Sequence, residues 1–465
     1  MDAFFEAIEE GIIKYWAYIL AAIIICLIFA YHLQYSVIGF LIPLLCVIIL
    51  GRIAWIMWVH YVRQDFISGI DFVLLEIIPP RDVLRSPKAM ELFFTNALYQ
   101  WSMKGTKESY WQGAVWFWFS LEIASIDGQV HFYIRTPTRV RGLIETQMYA
   151  QYPQAQVKEV EDYTLAVDEI TPKSAWMAWG CEFKLLKHEA YPIKTYEDFG
   201  LDKDPKEEYK VDPISPVIEL FGSIQKGEQM WMQIVVTPSK KTYHKEDTWF
   251  GKNDWVAESL RELINLQSPY ISTRQSAPDP KYGVTKFGVE VRTPEHLKDI
   301  VKRMNDKRSK LGFDTGIRVM YIAKKEAYDM RSRRNIRLIF RQYGSPEKNE
   351  FYRINSAQAD AFNTQVFSLP PEKVMLLADR MLHAYREREF FHLPMRHHLF
   401  NEHNFNGIFL FIFKQFFMPY FHPAIFVLNT EELATIWHFP GQIMRVPTLE
   451  RIESKEASPP PNLPT

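Results

Sequence analysis

An uncharged apolar stretch near the start of the chain constrains the fold more than any other feature. Neither Tyr15–Tyr31 nor Tyr35–Gly51 contains a charged side chain, and a break of three residues separates them. A helix needs about 20 mostly apolar residues to cross the hydrocarbon core of a bilayer. Residues 1–62 are therefore predicted to form an N-terminal tail and two transmembrane helices, at about 15–31 and 36–58.

The flanks of this stretch indicate its orientation. Trp55, Trp58 and Tyr61 lie beyond the second apolar run, and aromatic rings favour the headgroup level of a bilayer. The connector has no lysine or arginine, whereas arginines such as Arg63 and Arg85 follow the second span. By the positive-inside rule, both ends of the hairpin and the soluble bulk are predicted to be cytoplasmic. The three cysteines of the chain are too few for a disulfide framework, which also fits a reducing compartment.

Charge and motifs narrow the function classes. The formal net charge is −1, so the chain as a whole has no general attraction to nucleic acid. It contains no GxxxxGK(S/T) phosphate loop, no Rossmann glycine fingerprint, no GxSxG nucleophile elbow and no HExxH zinc helix. We therefore predict a non-enzymatic protein with no catalytic residues and no cofactor.

Residues 63–165 carry the signals of a first α+β domain. The alternating run Val115–Ile126 and the strand after it meet at Asp127-Gly128, which is a typical two-residue hairpin turn. Two amphipathic segments, each opened by a proline, have the pattern of helices. The resulting order of strand, helix, strand, strand, helix, strand is the split βαβ, ferredoxin-like plan.

Residues 166–325 repeat that order with an insertion at 238–284. The strands are expected at 176–186, 230–237, 287–292 and 317–323. The sequence therefore predicts the α+β class, with tandem ferredoxin-like units after the transmembrane hairpin. Residues 326–445 are predicted to be helical or mixed, and 446–465 form a proline-rich tail.

A histidine-rich segment contains the only metal-like cluster in the sequence. Its possible ligands are His392, His397, His398, Glu402 and His403. They match no zinc signature and have no cysteine partner, so a polar loop is favoured over a metal site. We predict no metal site.

The apolar run at 407–428 admits three interpretations. It can span a membrane, lie at a membrane interface, or form a buried strand or other core element. A lysine and two prolines interrupt it, and they favour the buried element.

Basic residues concentrate between Leu297 and Gln342, where 14 lysines and arginines stand against 5 acidic residues. The candidate contact residues among them are Lys302, Arg303, Lys307, Arg308, Arg331, Arg333, Arg334 and Arg337. Such a patch can bind nucleic-acid phosphates, an acidic partner or anionic lipid, and an ordinary solvated helix face has the same composition. The sequence leaves these alternatives open.

Four stretches of the chain resemble a known family. They are GIDFVLLEIIPPRDVLRSPKAMELFF (69–94), SLEIASIDGQVHFYIRTPTRVRGLIETQMYAQYP (120–153), FVLNTEELATIWHFPG (426–441) and VPTLERIESKEASPPPNLP (446–464). From about Arg63 onward, the chain is similar to the membrane-anchored region that precedes the motor in bacterial type IV secretion or conjugation coupling-type, HerA/TraG-like, DNA-translocating ATPases.

This resemblance implies a location and partners. In that family the proline-rich end leads into a nucleotide-binding motor, whereas this sequence stops at Thr465. The resemblance therefore implies that a separate P-loop ATPase chain supplies the motor. It also implies a place in the bacterial inner membrane and a ring-like homo-oligomer.

Two functional hypotheses follow. The first is a non-enzymatic membrane anchor and docking platform in a transfer machine, in contact with membrane lipid and a separate ATPase. The alternative is a stand-alone membrane-tethered protein that binds nucleic acid, such as DNA, through the basic patch.

Overall fold

The computed structural model describes a mixed α+β protein with a large antiparallel sheet. The described residues are 21–22, 24–26, 28, 37–80, 83, 85–100, 105–202, 212–244, 252–275, 287–291, 294–356, 371–388, 390–391 and 424–441. Most of the first predicted span, the histidine-rich segment and the proline-rich tail lie outside them. The chain divides into unit 1, formed by 1–70 and 103–115, and unit 2, formed by 71–102 and 116–465.

The secondary structure consists of helices and strands that alternate along the chain. The helices are α1 (Val37–Ser68), α2 (Lys88–Phe93), α3 (Thr106–Tyr110), α4 (Arg141–Gln151), α5 (Ser215–Gly222), α6 (Trp255–Gln267), α7 (Glu295–Ser309), α8 (Met330–Ile336), α9 (Pro371–Glu387) and α10 (Thr430–Ile436). The strands are β1 (Phe72–Ile78), β2 (Phe119–Ile126), β3 (Gln129–Pro137), β4 (Gln156–Val160), β5 (Trp176–Leu185), β6 (Glu228–Pro238), β7 (Thr242–His244), β8 (Lys252–Asp254), β9 (Ile271–Gln275), β10 (Phe287–Val291), β11 (Gly312–Lys324), β12 (Phe351–Ile354) and β13 (Phe426–Asn429).

Unit 1 contains the long helix α1 and the short helix α3. Helix α1 begins within the second predicted span and continues ten residues past its predicted end at 58, to Ser68. Among the described residues, the structure contains no helix that is both long and apolar enough to cross a membrane.

Unit 2 is organised around one nine-stranded sheet. Its strand order is β12-β5-β11-β6-β2-β3-β1-β4, and β13 pairs with the start of β11. All pairings are antiparallel. The order is symmetric about the β2–β6 pair. The sheet therefore has a first half, formed by β1, β2, β3 and β4, and a second half, formed by β5, β6, β11 and β12. In each half the fourth strand lies beside the first, the first beside the third and the third beside the second, with a helix in each crossover.

The turn between β2 and β3 confirms the hairpin predicted at Asp127-Gly128. Asp127 has φ 54° and Gly128 has φ 87°. Positive φ at both central residues is what the favoured two-residue hairpin turn requires, because its twist matches that of the strands. The turn aligns Ile126 with Gln129 and sets the register of the pair.

The third strand of the second half differs from the prediction. The strand expected at 287–292 is β10, which pairs with β9 in a separate two-stranded sheet. Strand β11 takes the third place, and β12, from the region predicted as 326–445, takes the fourth. The reason is length and burial, because β11 has 13 residues and is buried along nearly all of them. That suits a central strand flanked on both sides.

The two faces of the sheet are covered differently. On one face, the residue after α10, Trp437, contacts Phe94 and Phe132. On the other face, α9 packs against β5 at Gly180, where a Cβ atom would lie 2.8 Å from the side chain of Met381. A single hydrophobic cluster extends across both halves of the sheet, so they form one folding unit.

The C-terminal described segment is part of the core of unit 2. Every residue of β13 and α10 is buried. The apolar run predicted at 407–428 thus ends in a buried strand, as favoured above, while 407–423 lie outside the described residues. Helix α10 has a capping box, in which Asn429 and Glu432 satisfy each other's backbone amides.

Candidate functional site

A row of polar side chains crosses the middle of the sheet in unit 2. Directly aligned on six neighbouring strands are Glu76, Tyr133, Glu122, Gln233, Arg318 and Glu182. The last four are at most 1 % exposed. Burying a charged group is costly unless it is paired and hydrogen-bonded, so the partners of these residues define the site.

Arg388 neutralises the carboxylate of Glu122. Its Nε lies 3.0 Å from Oε1 and its Nη2 3.2 Å from Oε2 of Glu122. The two Nη atoms also donate to the carboxylate of Asp162, and Nη1 donates to the carbonyl of Arg386 at 2.7 Å. All five N–H groups of the guanidinium are therefore used. Arg388 has φ 53°, a conformation that costs energy in a non-glycine residue and is held here by these contacts.

Arg318 plays the same part for Glu182 in the second half. Its Nε and Nη2 donate to Oε1 of Glu182 at 3.0 and 2.6 Å. Its Nη1 donates to Gln233 at 3.3 Å and to the carbonyl of Ala384 in α9 at 2.6 Å. The other oxygen of Glu182 accepts from Asn355 at 2.6 Å.

Two tyrosines and an aspartate complete the network. The hydroxyl of Tyr163 donates to Glu122 at 2.8 Å and lies 2.8 Å from that of Tyr385. Burial raises the pKa of both tyrosines well above its usual value, so both stay protonated. Burial acts to raise the pKa of Asp162, but hydrogen bonds and the charge of Arg388 outweigh it and hold that pKa below its usual value.

The geometry of this network suits a structural role. Its four central charges are paired and at most 1 % exposed, whereas a catalytic group must reach a substrate. Its bonds to Ala384 and Tyr385 join the end of α9 to the middle of the sheet. We conclude that the network fixes α9 on the sheet.

A second set of ion pairs lies around α7 and α10. Lys307 is 2 % exposed and lies 2.9 Å from a carboxylate oxygen of Glu432, which is fully buried. Lys310 bridges Glu91 and Glu431 at 3.0 and 2.8 Å. These contacts attach α10 to α7 and to α2.

The predicted basic residues on α7 are mostly engaged within the fold. Arg303 pairs with Glu197 and Asp198 at 2.9 and 3.0 Å. Lys307 is buried in the pair with Glu432, and Arg308 donates to Asn305 at 2.8 Å. Lys302 is exposed. Most of the cationic groups predicted here are thus committed to internal contacts.

The predicted basic residues on α8 face water more fully. Arg331 is 86 % exposed and lies 3.2 Å from Asp329, and Arg334 is exposed. Arg333 and Arg337 are half-buried, and Arg337 lies 6.0 Å from the ring of Trp179. The end of α7 and the start of α8 adjoin opposite ends of β11, whose 13 residues extend about 40 Å. The structure therefore does not gather the eight residues into one surface.

One group of described residues is able to hold a metal ion. Ligand atoms of His188, Glu258 and Glu262 all lie within 4.8 Å of one another. Glu258 already pairs with Arg261, and the amide of Ala190 donates to Nδ1 of His188 at 3.2 Å. These contacts use Oε1 of Glu258 and Nδ1 of His188, and the proximity of the three side chains does not by itself assign a metal to the group.

The surface of unit 1 has a different character from that of unit 2. Four aliphatic side chains in the first half of α1 are 46 to 66 % exposed: Leu44, Leu45, Val47 and Ile48. Five aromatic side chains, from the second half of α1 and from the segment at its side, are 38 to 60 % exposed: Trp55, Trp58, Tyr61, Tyr110 and Trp111. Contiguous apolar exposure on this scale marks an interaction surface.

Comparison with known proteins identifies a family of unknown function. A family model described as a domain of unknown function, DUF8128, matches residues 111–389, more than half of the chain. The chain therefore belongs to this family. No curated protein matches it. The resemblance to the anchoring region of coupling-type ATPases stays a prediction.

Sequence reasoning missed most residues of the buried network. Glu122, Glu182 and Arg318 stand in strands whose other residues are mainly apolar, and such isolated charges are the signal that was available. Arg388 carried no comparable signal, because it ends a helix rich in charges. The segment around Tyr110 and Trp111 was also missed, because it is distant in sequence from α1.

Proposed function

We propose that this member of the DUF8128 family is a membrane-anchored, non-enzymatic scaffold. In this proposal a helical hairpin in unit 1 anchors the chain in the bacterial inner membrane. Unit 2 lies in the cytoplasm and is the docking platform for a separate P-loop ATPase in a type IV secretion or conjugation-like machine. The scaffold acts as a ring-like homo-oligomer.

The observation that carries the anchor is the exposure of α1. Leu45, Val47 and Ile48 are 57, 66 and 55 % exposed on a helix that continues for 32 residues. Each fully buried side chain of this size is stabilised by about 1.5–3 kcal/mol relative to water, so a lipid environment for them is strongly favourable. A bilayer supplies that environment.

A contact inside unit 1 supports the hairpin. The sulfur atoms of Cys26 and Cys46 are 3.5 Å apart. Cys26 belongs to the first predicted span and Cys46 to the second, so the two segments approach each other side by side. Cys181, the third cysteine, is fully buried in unit 2 and provides an internal control for thiol chemistry.

The architecture of unit 2 supports the platform. The strand order of each half is that of the ferredoxin-like plan, so we propose that the two halves are tandem copies of it joined edge to edge. The central charges of the sheet are sealed in ion pairs, as expected for a rigid support. The resemblance of the sequence to coupling-type ATPases supplies the class of the partner.

Membrane extraction tests the anchor. We expect the full chain to stay in the membrane pellet after alkaline carbonate treatment, and the variant Val47→Arg/Ile48→Arg to move to the supernatant. The matched control is Leu165→Arg/Leu338→Arg, which places the same charges at residues 72 and 56 % exposed in unit 2 and leaves the protein in the pellet. Full extraction of the unaltered chain would contradict the anchor.

Partner capture tests the platform. The detergent-solubilised full chain is used as bait, and bound proteins are identified by mass spectrometry. We expect a chain with a GxxxxGK(S/T) loop and no membrane anchor of its own, and we expect ATP hydrolysis only when that chain is present. Hydrolysis by the purified scaffold alone would contradict a non-enzymatic role.

A second candidate function is nucleic-acid binding by α8. The exposure of Arg331 and Arg334 favours it over binding by α7, whose cations are mostly paired. We expect salt-sensitive DNA binding that is lost when Arg331, Arg333 and Arg334 are changed to Glu. Binding that survives this change would exclude α8 as the contact.

A further inference from the structure

Five exposed aromatic side chains in unit 1 form one continuous cluster. Trp55 lies 5.8 Å from Tyr110 and 6.5 Å from Trp111 between ring centroids. Trp58 lies 5.8 Å from Trp111 and 6.3 Å from Tyr61. The cluster joins the second half of α1 to the segment 105–113, which follows it by some fifty residues in sequence.

The segment is attached to α1 by its backbone as well as by its rings. The indole Nε1 of Trp58 donates to the carbonyl of Tyr110 at 3.2 Å. Gly113 has φ +66°, and a Cβ atom at this position would lie 1.9 Å from the carbonyl oxygen of Val62. Only glycine permits so close an approach of the two backbones. The hydrogen bond and the close backbone packing therefore hold the rings in place.

The cluster has the composition of a bilayer interface. Tryptophan and tyrosine are enriched where one end of a side chain contacts acyl chains and the other contacts water or headgroups. The exposed cation Arg52 lies on α1 and can bind lipid phosphates. Ile48, an exposed aliphatic residue of the first half of α1, precedes Trp55 by about 10 Å along the helix. Aliphatic and aromatic surfaces thus follow each other in the order expected on leaving a bilayer.

We infer that this aromatic cluster is a phospholipid-interface site, and that residues 105–113 lie at the headgroup level of the membrane. The inference rests on the proposed membrane anchor and deepens it. In this inference the segment sets the depth to which α1 enters the bilayer. The apolar length of α1 alone does not define that depth.

A depth measurement on the full chain tests the inference. An environment-sensitive fluorophore is attached at Lys107→Cys in a Cys26→Ser/Cys46→Ser background, which keeps all five rings; Cys181 is fully buried and stays. The protein is reconstituted into phosphatidylcholine–phosphatidylglycerol vesicles with a spin label near the headgroup or near the acyl-chain end. We expect the shallow label to quench the fluorophore strongly and the deep label to quench it less. We also expect the membrane to shield the fluorophore from quenching by aqueous iodide.

Two further probes separate the possible outcomes. A fluorophore at Val47→Cys reports the anchor itself, and one at Leu165→Cys in unit 2 is the water-exposed control. The change Trp111→Ser, at a residue 60 % exposed, is expected to reduce shallow quenching at position 107 without changing the signal at position 47.

Each alternative result has a definite meaning. A probe at 107 that is open to iodide and unaffected by lipid labels, while the probe at 47 is quenched by lipid, overturns the interface site and leaves the anchor standing. Shielding from iodide without lipid quenching means that a second copy or another protein covers the cluster, which also overturns the inference. Absence of lipid quenching at both positions overturns the anchor with it.

Discussion

The two halves of the sheet have a glutamate at the same position, but the two side chains differ in exposure and in pairing partner. Glu76 lies in the first strand of the first half and Glu182 in the first strand of the second half, both in the row that crosses the sheet. Glu182 is 1 % exposed and receives two hydrogen bonds from Arg318. Glu76 is 14 % exposed, and its carboxylate pairs with the ring of His131 at 2.6 Å.

This difference shows how access to water sets the partner that a buried carboxylate needs. The sealed carboxylate is matched by a permanent cation with several donors, because burial would otherwise cost several kcal/mol. The carboxylate near water is matched by a single imidazole, since solvent screens part of its charge. The same position of the fold therefore holds a sealed ion pair in the second half and a partly hydrated pair in the first half.

The largest effect is expected when the chain is cut at the family boundary, which truncates the first half of the sheet. A fragment of residues 111–389 retains all four strands of the second half but loses β1, β13 and α10. We expect it to show no cooperative unfolding, because β1 lies between β3 and β4 and the removal of Glu432 leaves Lys307 buried without its partner. Urea unfolding followed by circular dichroism measures this, with residues 70–445 as the control. Cooperative unfolding of the shorter fragment would mean that the second half folds without an intact first half.

The next effect compares the two glutamates directly. Arg318→Met is expected to lower the free energy of unfolding of residues 70–445 by about 3–5 kcal/mol, because it leaves Glu182 buried and uncompensated. His131→Leu is expected to lower it by only about 1 kcal/mol, the contribution of one ordinary hydrogen bond.

A double substitution serves as the control for this comparison. Arg318→Met/Glu182→Leu removes both charges, so we expect it to regain most of the lost stability. Equal losses for Arg318→Met and His131→Leu would show that exposure does not distinguish the two positions.

A smaller effect is expected from pH. Burial tends to raise the pKa of Asp162, but Arg388 holds it below its usual value, so the folded state favours the ionised form. The resulting stability is complete above about pH 4 and is lost as the pH falls through the lower pKa of the folded state. We expect the stability difference between the unaltered protein and Asp162→Asn to shrink over this acid range, as measured by thermal unfolding. Because Asp314 and Glu431 have raised pKa values, only this difference isolates Asp162.

The smallest effect extends the comparison to the basic helices. Arg334→Glu changes an exposed residue of α8, and we expect its effect on stability to lie within about 0.5 kcal/mol. The matched change Arg303→Glu in α7 breaks contacts with Glu197 and Asp198 and is expected to destabilise the protein by more. Equal stabilities of the two variants would show that the ion pairs of α7 contribute nothing.

Local patterns predicted the first half of the sheet well. The hairpin at Asp127-Gly128, the alternation in β2 and the order of helices and strands are set by neighbours in sequence, so periodicity and turn chemistry reveal them. Helix α9 lies in the region 326–445, which was predicted to be helical or mixed. These elements depend little on distant parts of the chain.

Long-range pairing explains what the sequence did not reveal. Strand β10 has a strand-like pattern, yet its place in the sheet is taken by β11, because pairing depends on which partner surfaces meet after collapse. Arg388 pairs with Glu122, which lies 266 residues earlier in the sequence. The metal-capable group of His188 with Glu258 and Glu262 is likewise formed by segments distant in sequence. The periodicity of residues that are neighbours in sequence does not predict such contacts.

The burial of β13 and α10 has a consequence for biosynthesis. Helix α1, the proposed anchor, emerges from the ribosome early, whereas Asn429, which pairs with the start of the central strand β11, is translated some 360 residues after Ser68. At typical synthesis rates this interval lasts roughly 20–70 seconds. During that time the nascent chain presents an unfinished sheet. We expect its maturation to depend on chaperones that shield open strand edges until the last strand arrives.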